Sequence, residues 1–215
     1  MDAGLVPVKR LSAAKRRLEP ALNASARHEL ARALLLDALD LCRSTNHVRW
    51  YIVAADDEVA ALSRRARLTV LQDRRHDLNL ALSDAVEDVI REGARSATVL
   101  PADIPLARAE DVQDLLDTGD TSDVVVAPSR DGGTNALHLR PPGVLRPRFG
   151  PDSLRAHAAE AERLDLRCSI LDLPRLALDI DTEADLAAFR EAGGADTHTG
   201  AMLRAVPVRG SVGST

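Results

Sequence analysis

Short apolar runs rich in β-branched residues alternate along this chain with longer stretches of helical period, and this alternation constrains the fold more than any other feature. It is the pattern of a mostly parallel sheet with helices on both faces, because parallel strands need long crossovers and end up buried on both sides. Strands are expected near Leu5–Val8, Trp50–Ala54, Thr69–Gln72, Ala97–Pro101, Asp123–Ala127 and Ala136–Leu139, with shorter ones near Cys168–Leu171 and Leu176–Asp179. The best helix is Leu78–Arg91, where Leu78, Leu82, Ala85, Val86, Val89 and Ile90 recur at three- and four-residue spacing before Gly93. Ala24–Cys42 reads as a longer helix, and another starts at Thr182, whose hydroxyl with Asp185 resembles a capping box, and runs to Arg190. From Gly194 on, composition shifts to Gly, Thr, Ser and Val without period. The expectation is therefore one domain over residues 1–193 and a mobile tail over 194–215.

Composition removes several function classes. The chain has 215 residues and a net charge of −5, so the electrostatic footprint of a nucleic-acid binder is missing. Its aromatics are Trp50, Tyr51, Phe149 and Phe189, too few for base-stacking platforms or an aromatic sugar cleft. Cys42 and Cys168 lie far apart with no His or Cys cluster near either, which argues against zinc and against a disulfide framework. No apolar run reaches membrane-spanning length and no secretory signal opens the chain, so a soluble cytoplasmic protein is expected, with no membrane or nucleic-acid partner. His28, His47, His76, His138, His157 and His198 are scattered without ligand spacing and read as surface or core residues.

Four constellations could carry chemistry. Lys9, Arg10, Lys15, Arg16 and Arg17 follow the first strand with no acid among them. Such a run is often just a solvated helix face, but at the first strand-to-helix crossover it can also seat a polyphosphate. It is neither a Walker loop nor a GxGxxG turn. In Leu178-Asp179-Ile180-Asp181-Thr182, an extended backbone puts both carboxylates on one face, about 6–7 Å apart. An all-oxygen pair of this kind suits Mg²⁺ shared with substrate phosphates, while the plainer reading is a helix cap and a surface acid. Asp103, bracketed by Pro101 and Pro105, sits where a strand runs out and either adds a third metal-binding carboxylate or caps the next helix. Finally, Asp131-Gly132-Gly133-Thr134-Asn135 and Arg148-Phe149-Gly150-Pro151-Asp152-Ser153 carry glycines that admit a ligand close to the backbone. The second offers Ser153 and free N–H groups at a helix start as an anion seat, although each segment alone is also a common turn.

These segments, together with Asp77-Leu78-Asn79, occur in the order seen in one family: the chain resembles the 2-phospho-L-lactate and phosphoenolpyruvate guanylyltransferases of coenzyme F-420 biosynthesis over roughly residues 4–193. The resemblance implies a three-layer, Rossmann-like nucleotidyltransferase fold of the nucleotide-diphospho-sugar transferase type. It implies a reaction in which the phosphate of a three-carbon phospho-acid attacks the α-phosphorus of GTP, the co-substrate, and releases pyrophosphate. By the same likeness Lys9, Lys15 and Arg17 stabilise the transferring phosphoryl group, Asp103, Asp179 and Asp181 hold Mg²⁺, Thr134, Gly150 and Ser153 hold the phospho-acid, and Asn79 lies by the nucleotide base. The Arg-rich, Lys-poor composition favours phosphoenolpyruvate as the acceptor. Leu11-Ser12-Ala13-Ala14 stands where the wider superfamily has a glycine-rich loop, which disfavours generic sugar-nucleotide synthesis. A molybdenum-cofactor-type guanylyltransferase is the alternative on the same fold, and a non-catalytic nucleotide-binding module is the alternative of a different class. The family reading leaves room for a homodimer and for hand-over of product to the next enzyme of the pathway.

Overall fold

The computed structural model describes residues 1–75 and 77–206. Seven strands make one sheet: β1 (Asp2–Val8), β2 (Val48–Ala54), β3 (Thr69–Gln72), β4 (Ser96–Val99), β5 (Val124–Pro128), β6 (Thr134–Leu139) and β7 (Cys168–Ile170). Their order is β3-β2-β1-β4-β6-β5-β7, and β6 alone runs against its neighbours. The chain leaves β1 toward β2 and β3, then crosses back to place β4 on the other side of β1. That reversal opens a crevice beyond the carboxyl ends of β1 and β4.

Both faces of the sheet are covered, as the continuous apolar strands predict. Val6, Val8, Trp50 and Ile52 pack on one side with α1 (Ala24–Ser44) and α2 (Asp57–Arg65). Ala3, Leu5, Tyr51 and Val53 pack on the other with α3 (Leu78–Arg91). Gly4 is a close-approach position: a Cβ there would stand 2.1 Å from the Trp50 ring, so the indole lies over bare backbone and donates its Nε1–H to Thr45. The remaining helices are α4 (Ala109–Gly119), α5 (Ser153–Arg163), α6 (Glu183–Glu191) and α7 (His198–Ala205). Asn23, Asp56, Asp77 and Thr182 each accept a backbone N–H at the start of a helix, the last within a capping box.

Two expectations are corrected. Leu176–Asp179 is not a strand: it follows Pro174 and crosses the end of the sheet, tied to other loops by the Arg130 N–H to Ala177 O and Ile180 N–H to Asp103 O bonds. Its alternation survives without a ladder, since Leu178 and Ile180 are buried against Leu22, Leu30 and Phe189 while Asp179 and Asp181 are not. The tail expected from residue 194 is folded over the described part of that range. Thr197 caps α7, Leu203 is buried against α1, and the Asp37 carboxylate accepts the N–H groups of His198 and Thr199. Capping chemistry and a distant carboxylate order a segment whose composition carries no period; residues 207–215 lie outside the described residues.

Two buried histidines make stability depend on pH. Burial pushes His138 and His157 down to about 4, the latter helped by the Arg148 charge. An unfolded histidine takes its proton near 6.5, so between about pH 4 and 6.5 the unfolded chain binds more protons. Stability is therefore full above that window and falls as pH drops through it, by up to about 3 kcal/mol for each histidine. The melting midpoint should decline from pH 6.5 to 4, and less steeply in His138→Asn; equal slopes would contradict the assignment.

Candidate active site

The loop leaving β1 enters two short 3-10 turns, and Lys15 between them adopts a left-handed conformation at φ 55°. A non-glycine residue there costs on the order of 1 kcal/mol, and ion pairs hold it. The Lys15 ammonium lies 2.9 Å from Asp103 and 3.0 Å from Asp181, with only 8% of its side chain exposed. Arg17, mostly exposed, stands 3.8 Å from Asp181. Burial alone would push Lys15 down, but the two carboxylates outweigh it and hold it above the ordinary lysine value. Burial would likewise push Asp103 up, but the Lys15 charge and hydrogen bond hold it below the usual carboxylate range. Asp179 goes the other way. Burial raises it, and although Asn135 donates to it at 3.1 Å, the nearby Asp103 and Asp181 charges add to the rise.

Lys9, Lys15, Arg17, Asp103, Asp179, Asp181 and Gly150 all line one cleft of about 460 Å³ at the β1/β4 crevice. These seven expected site residues are thus brought together from four separate stretches of chain. A side pocket of about 220 Å³ continues from it between Pro7, Val53, Ala55, Leu78 and Ala81, with Asp73 the one acid on its wall among the described residues. A wider cleft, about 970 Å³ between α1, α7 and the entry to α4, contains none of the expected site residues.

Asn79, Thr134 and Ser153 are not on the lining of this cleft. Asn79 was expected by the base, but its amide is committed elsewhere: Nδ2 donates to Phe149 O at 3.0 Å and Oδ1 accepts Phe149 N–H at 2.7 Å. It holds the Phe149–Gly150 rim. Thr134 and Ser153 are buried with their hydroxyls 3.1 Å apart. The N–H groups expected to be free at the start of α5 are in use: Ser153 donates to Gly150 O and Leu154 to Gly132 O. Gly150 is at φ +136°, a turn that favours glycine.

The donor set tests the metal expectation. Among the described residues no three His, Cys, Asp or Glu side chains already surround one point. Mg²⁺ seldom uses such a cage, however; it keeps waters and takes one or two carboxylates together with phosphate oxygens. Asp103 and Asp181 share the Lys15 ammonium while Asp179, raised chiefly by burial and further by those two carboxylates, has no cationic partner among the described residues, so an all-oxygen set with one uncompensated carboxylate fits an oxygen-seeking cation.

Sequence reading passed over a sharper signal in the same loop. Of the 28 Lys and Arg residues only Lys9 and Lys15 are lysines, and both line the cleft. Arginine serves everywhere else. At Lys15 a compact ammonium on a flexible stem reaches two carboxylates while nearly buried.

Residues 3–214 match the family model described as Guanylyl transferase CofC like. The chain belongs to that guanylyl transferase family. Relatives within reach include a phosphoenolpyruvate guanylyltransferase of Chloroflexus aggregans, 38% identical over 190 residues that cover 86% of this chain and 94% of that protein. A 2-phospho-L-lactate guanylyltransferase of Methanothermobacter thermautotrophicus is 37% identical over 214 residues, covering 96% of this chain and 94% of its own. Among solved structures, one described as a nucleotide-diphospho-sugar transferase from Desulfovibrio desulfuricans G20 superposes with a TM-score of 0.74 at 19% identity, covering 95% of each chain. That likeness gives the fold, and the fold is the nucleotidyltransferase architecture expected. Among the described residues no helix is long and apolar enough to cross a membrane.

The two lysines provide a direct check. An amine-reactive acyl ester should modify exposed Lys9 and leave Lys15 nearly untouched, because Lys15 is paired and keeps its proton. Peptide mass spectrometry reads both, and equal modification would refute the ion-pair arrangement.

Proposed function

We propose that this chain is a guanylyltransferase that joins the GMP part of GTP to the phosphate of phosphoenolpyruvate, with 2-phospho-L-lactate the neighbouring acceptor, and releases pyrophosphate in coenzyme F-420 biosynthesis. The observation that carries the reading is the gathering of both lysines and three aspartates on one cleft at the β1/β4 crevice of a guanylyl transferase family member. The names of relatives on either side of this choice, at 38% and 37% identity, support both acceptors.

The acceptor phosphate supplies the nucleophilic oxygen, the α-phosphorus receives it, and the bond to the pyrophosphate oxygen breaks. No covalent enzyme intermediate is needed, so the residues act by position and charge. Lys9 and Arg17, at the exposed edge of the cleft, neutralise the triphosphate and the departing pyrophosphate. Lys15 pairs with both Asp103 and Asp181 and so holds the two carboxylates together at the cleft. Asp103, Asp179 and Asp181 would hold Mg²⁺, which would supply positive charge against the charge that develops on the phosphates. The apolar side pocket suits a purine, and Asp73 offers two acceptor oxygens to the N1–H and N2–H₂ donors of guanine, one already steadied by the Arg75 N–H at 2.8 Å. Free Cys42 and Cys168 support a reducing cytoplasmic setting.

Pyrophosphate release is to be followed with GTP and Mg²⁺ alone and with phosphoenolpyruvate, 2-phospho-L-lactate or 3-phosphoglycerate. Release is expected with phosphoenolpyruvate and not without an acceptor. GTP that binds but yields no pyrophosphate in any mixture would overturn the reading. Asp181→Asn should lower turnover at least about a hundredfold with the fold intact, and a near-wild-type rate would remove Asp181 from the metal set. Asp73→Ala should cut the preference for GTP over ATP by about tenfold or more, since two guanine donors then lose their acceptor; an unchanged preference would take Asp73 out of base recognition.

A further inference from the structure

Behind the rim of the cleft, Thr134 and Ser153, which the family likeness gives to the phospho-acid, share a buried polar group with His157, to which neither the sequence motifs nor the transfer step assigns a role. His157, on α5 four residues after Ser153, is fully buried. Its Nε2 accepts the Arg148 N–H at 2.9 Å, and its Nδ1 lies 3.1 Å from Thr134 Oγ1. Ser153 Oγ donates to the same Thr134 oxygen at 3.1 Å. The edge of the Phe149 ring meets the imidazole at 5.5 Å between centroids, with the planes at 72°.

The direction of every proton in this group follows from its partners. A backbone N–H can only donate, so Nε2 carries a lone pair. Burial and the Arg148 charge keep the imidazole neutral, with its pKa near 4. A neutral ring has one N–H, which must therefore sit on Nδ1 and point at Thr134. Thr134 Oγ1 then accepts twice, from His157 and from Ser153, and both of its lone pairs are in use. Its own proton is left to be donated to a third group. A hydroxyl forced to act as a donor is a poor neighbour for a cation and a good one for an anion. Thr134 precedes Asn135, which lines the cleft, and Arg148 leads into Phe149 and Gly150, which line it too. One imidazole thus links the rim to Thr134. Asn79 holds that rim from the opposite side through the Phe149 backbone.

We propose that His157 is a positioning residue for the acceptor half of the reaction: it fixes the Arg148–Gly150 rim through Nε2 and, through Nδ1–H, turns the Thr134 hydroxyl into a committed hydrogen-bond donor for the carboxylate or phosphate of the acceptor. The acceptor in this statement rests on the proposed guanylyl transfer, whereas the proton order rests on geometry alone.

Two kinds of experiment separate these parts. In the ¹⁵N-labelled protein, long-range imidazole spectra should show His157 with a protonated Nδ1 and a bare Nε2, the reverse of the order favoured by free histidine. An Nε2–H spectrum overturns the proposal. In steady-state kinetics, His157→Asn keeps an N–H toward Thr134 and drops the acceptor for Arg148, while His157→Gln keeps that acceptor and drops the N–H. Each should raise KM for phosphoenolpyruvate about tenfold, as expected for one lost hydrogen bond, and leave KM for GTP within about twofold. Equal loss toward both substrates would indicate a merely structural role and overturn the proposal. Should either variant fold poorly, Thr134→Val asks the same question from the other end: it should raise the phosphoenolpyruvate KM alone, and an unchanged value overturns the assignment. A wild-type protein without turnover on any acceptor would refute the proposed function, and the spectrum would still decide the proton order.

Discussion

A parallel sheet buried on both faces has almost nowhere to keep polar chemistry except beyond its strand ends. Here the strand interiors are close to fully apolar, and α1 and α2 cover one face while α3 covers the other. The carboxyl ends of β1 and β4, separated by the chain's change of direction, are where backbone leaves the sheet with side chains still free to turn inward. The lysine loop leaves from β1 and Asp103 from β4, and the Asp179–Asp181 segment is drawn across both by Leu178 and Ile180, which are anchored in a separate apolar cluster. Apolar burial thus fixes where the charges can meet.

Once gathered, the charges regulate one another. Lys15 is the counter-ion that lets Asp103 stay ionised at a part-buried place, and its left-handed backbone is retained against strain by that same pairing. Asp179 lies beyond the reach of this compensation and is raised. The cleft thus carries at one end a part-buried carboxylate that Lys15 does not reach and at its mouth the exposed cations Lys9, Arg16 and Arg17, the arrangement that a polyanion accompanied by a cation would suit.

Much of this was legible in the sequence, and the reasons differ by element. Leu78–Arg91 emerged with its predicted bounds because period and cap agreed, and Thr69–Gln72 also matched its predicted bounds. The carboxylates and the basic loop could be picked out by residue type and by their position after strands. What stayed hidden is what depends on pairs distant in the chain. Lys15 meets partners 88 and 166 positions away, and Asn79 meets Phe149 70 positions away. His157 looked like any buried histidine because its meaning lies in the direction of its partners' protons, which spacing does not encode. Leu176–Asp179 shows the opposite error: alternation was present, but it served anchoring in a loop and not pairing in a sheet.

The docking of α7 also bears on where a minimal working unit of this enzyme ends. Asp37, in the middle of α1, is largely buried and relies on the backbone amides at the start of α7 to satisfy its oxygens. A shortened version ending at the Gly193-Gly194 break would bare the apolar patch beneath Leu203 and leave that carboxylate without its partners. The C-terminal helix behaves as a clasp on α1, the helix whose Ala31 and Leu34 also wall the cleft, so trimming the chain for crystallisation or fusion would reach that cleft from its far side.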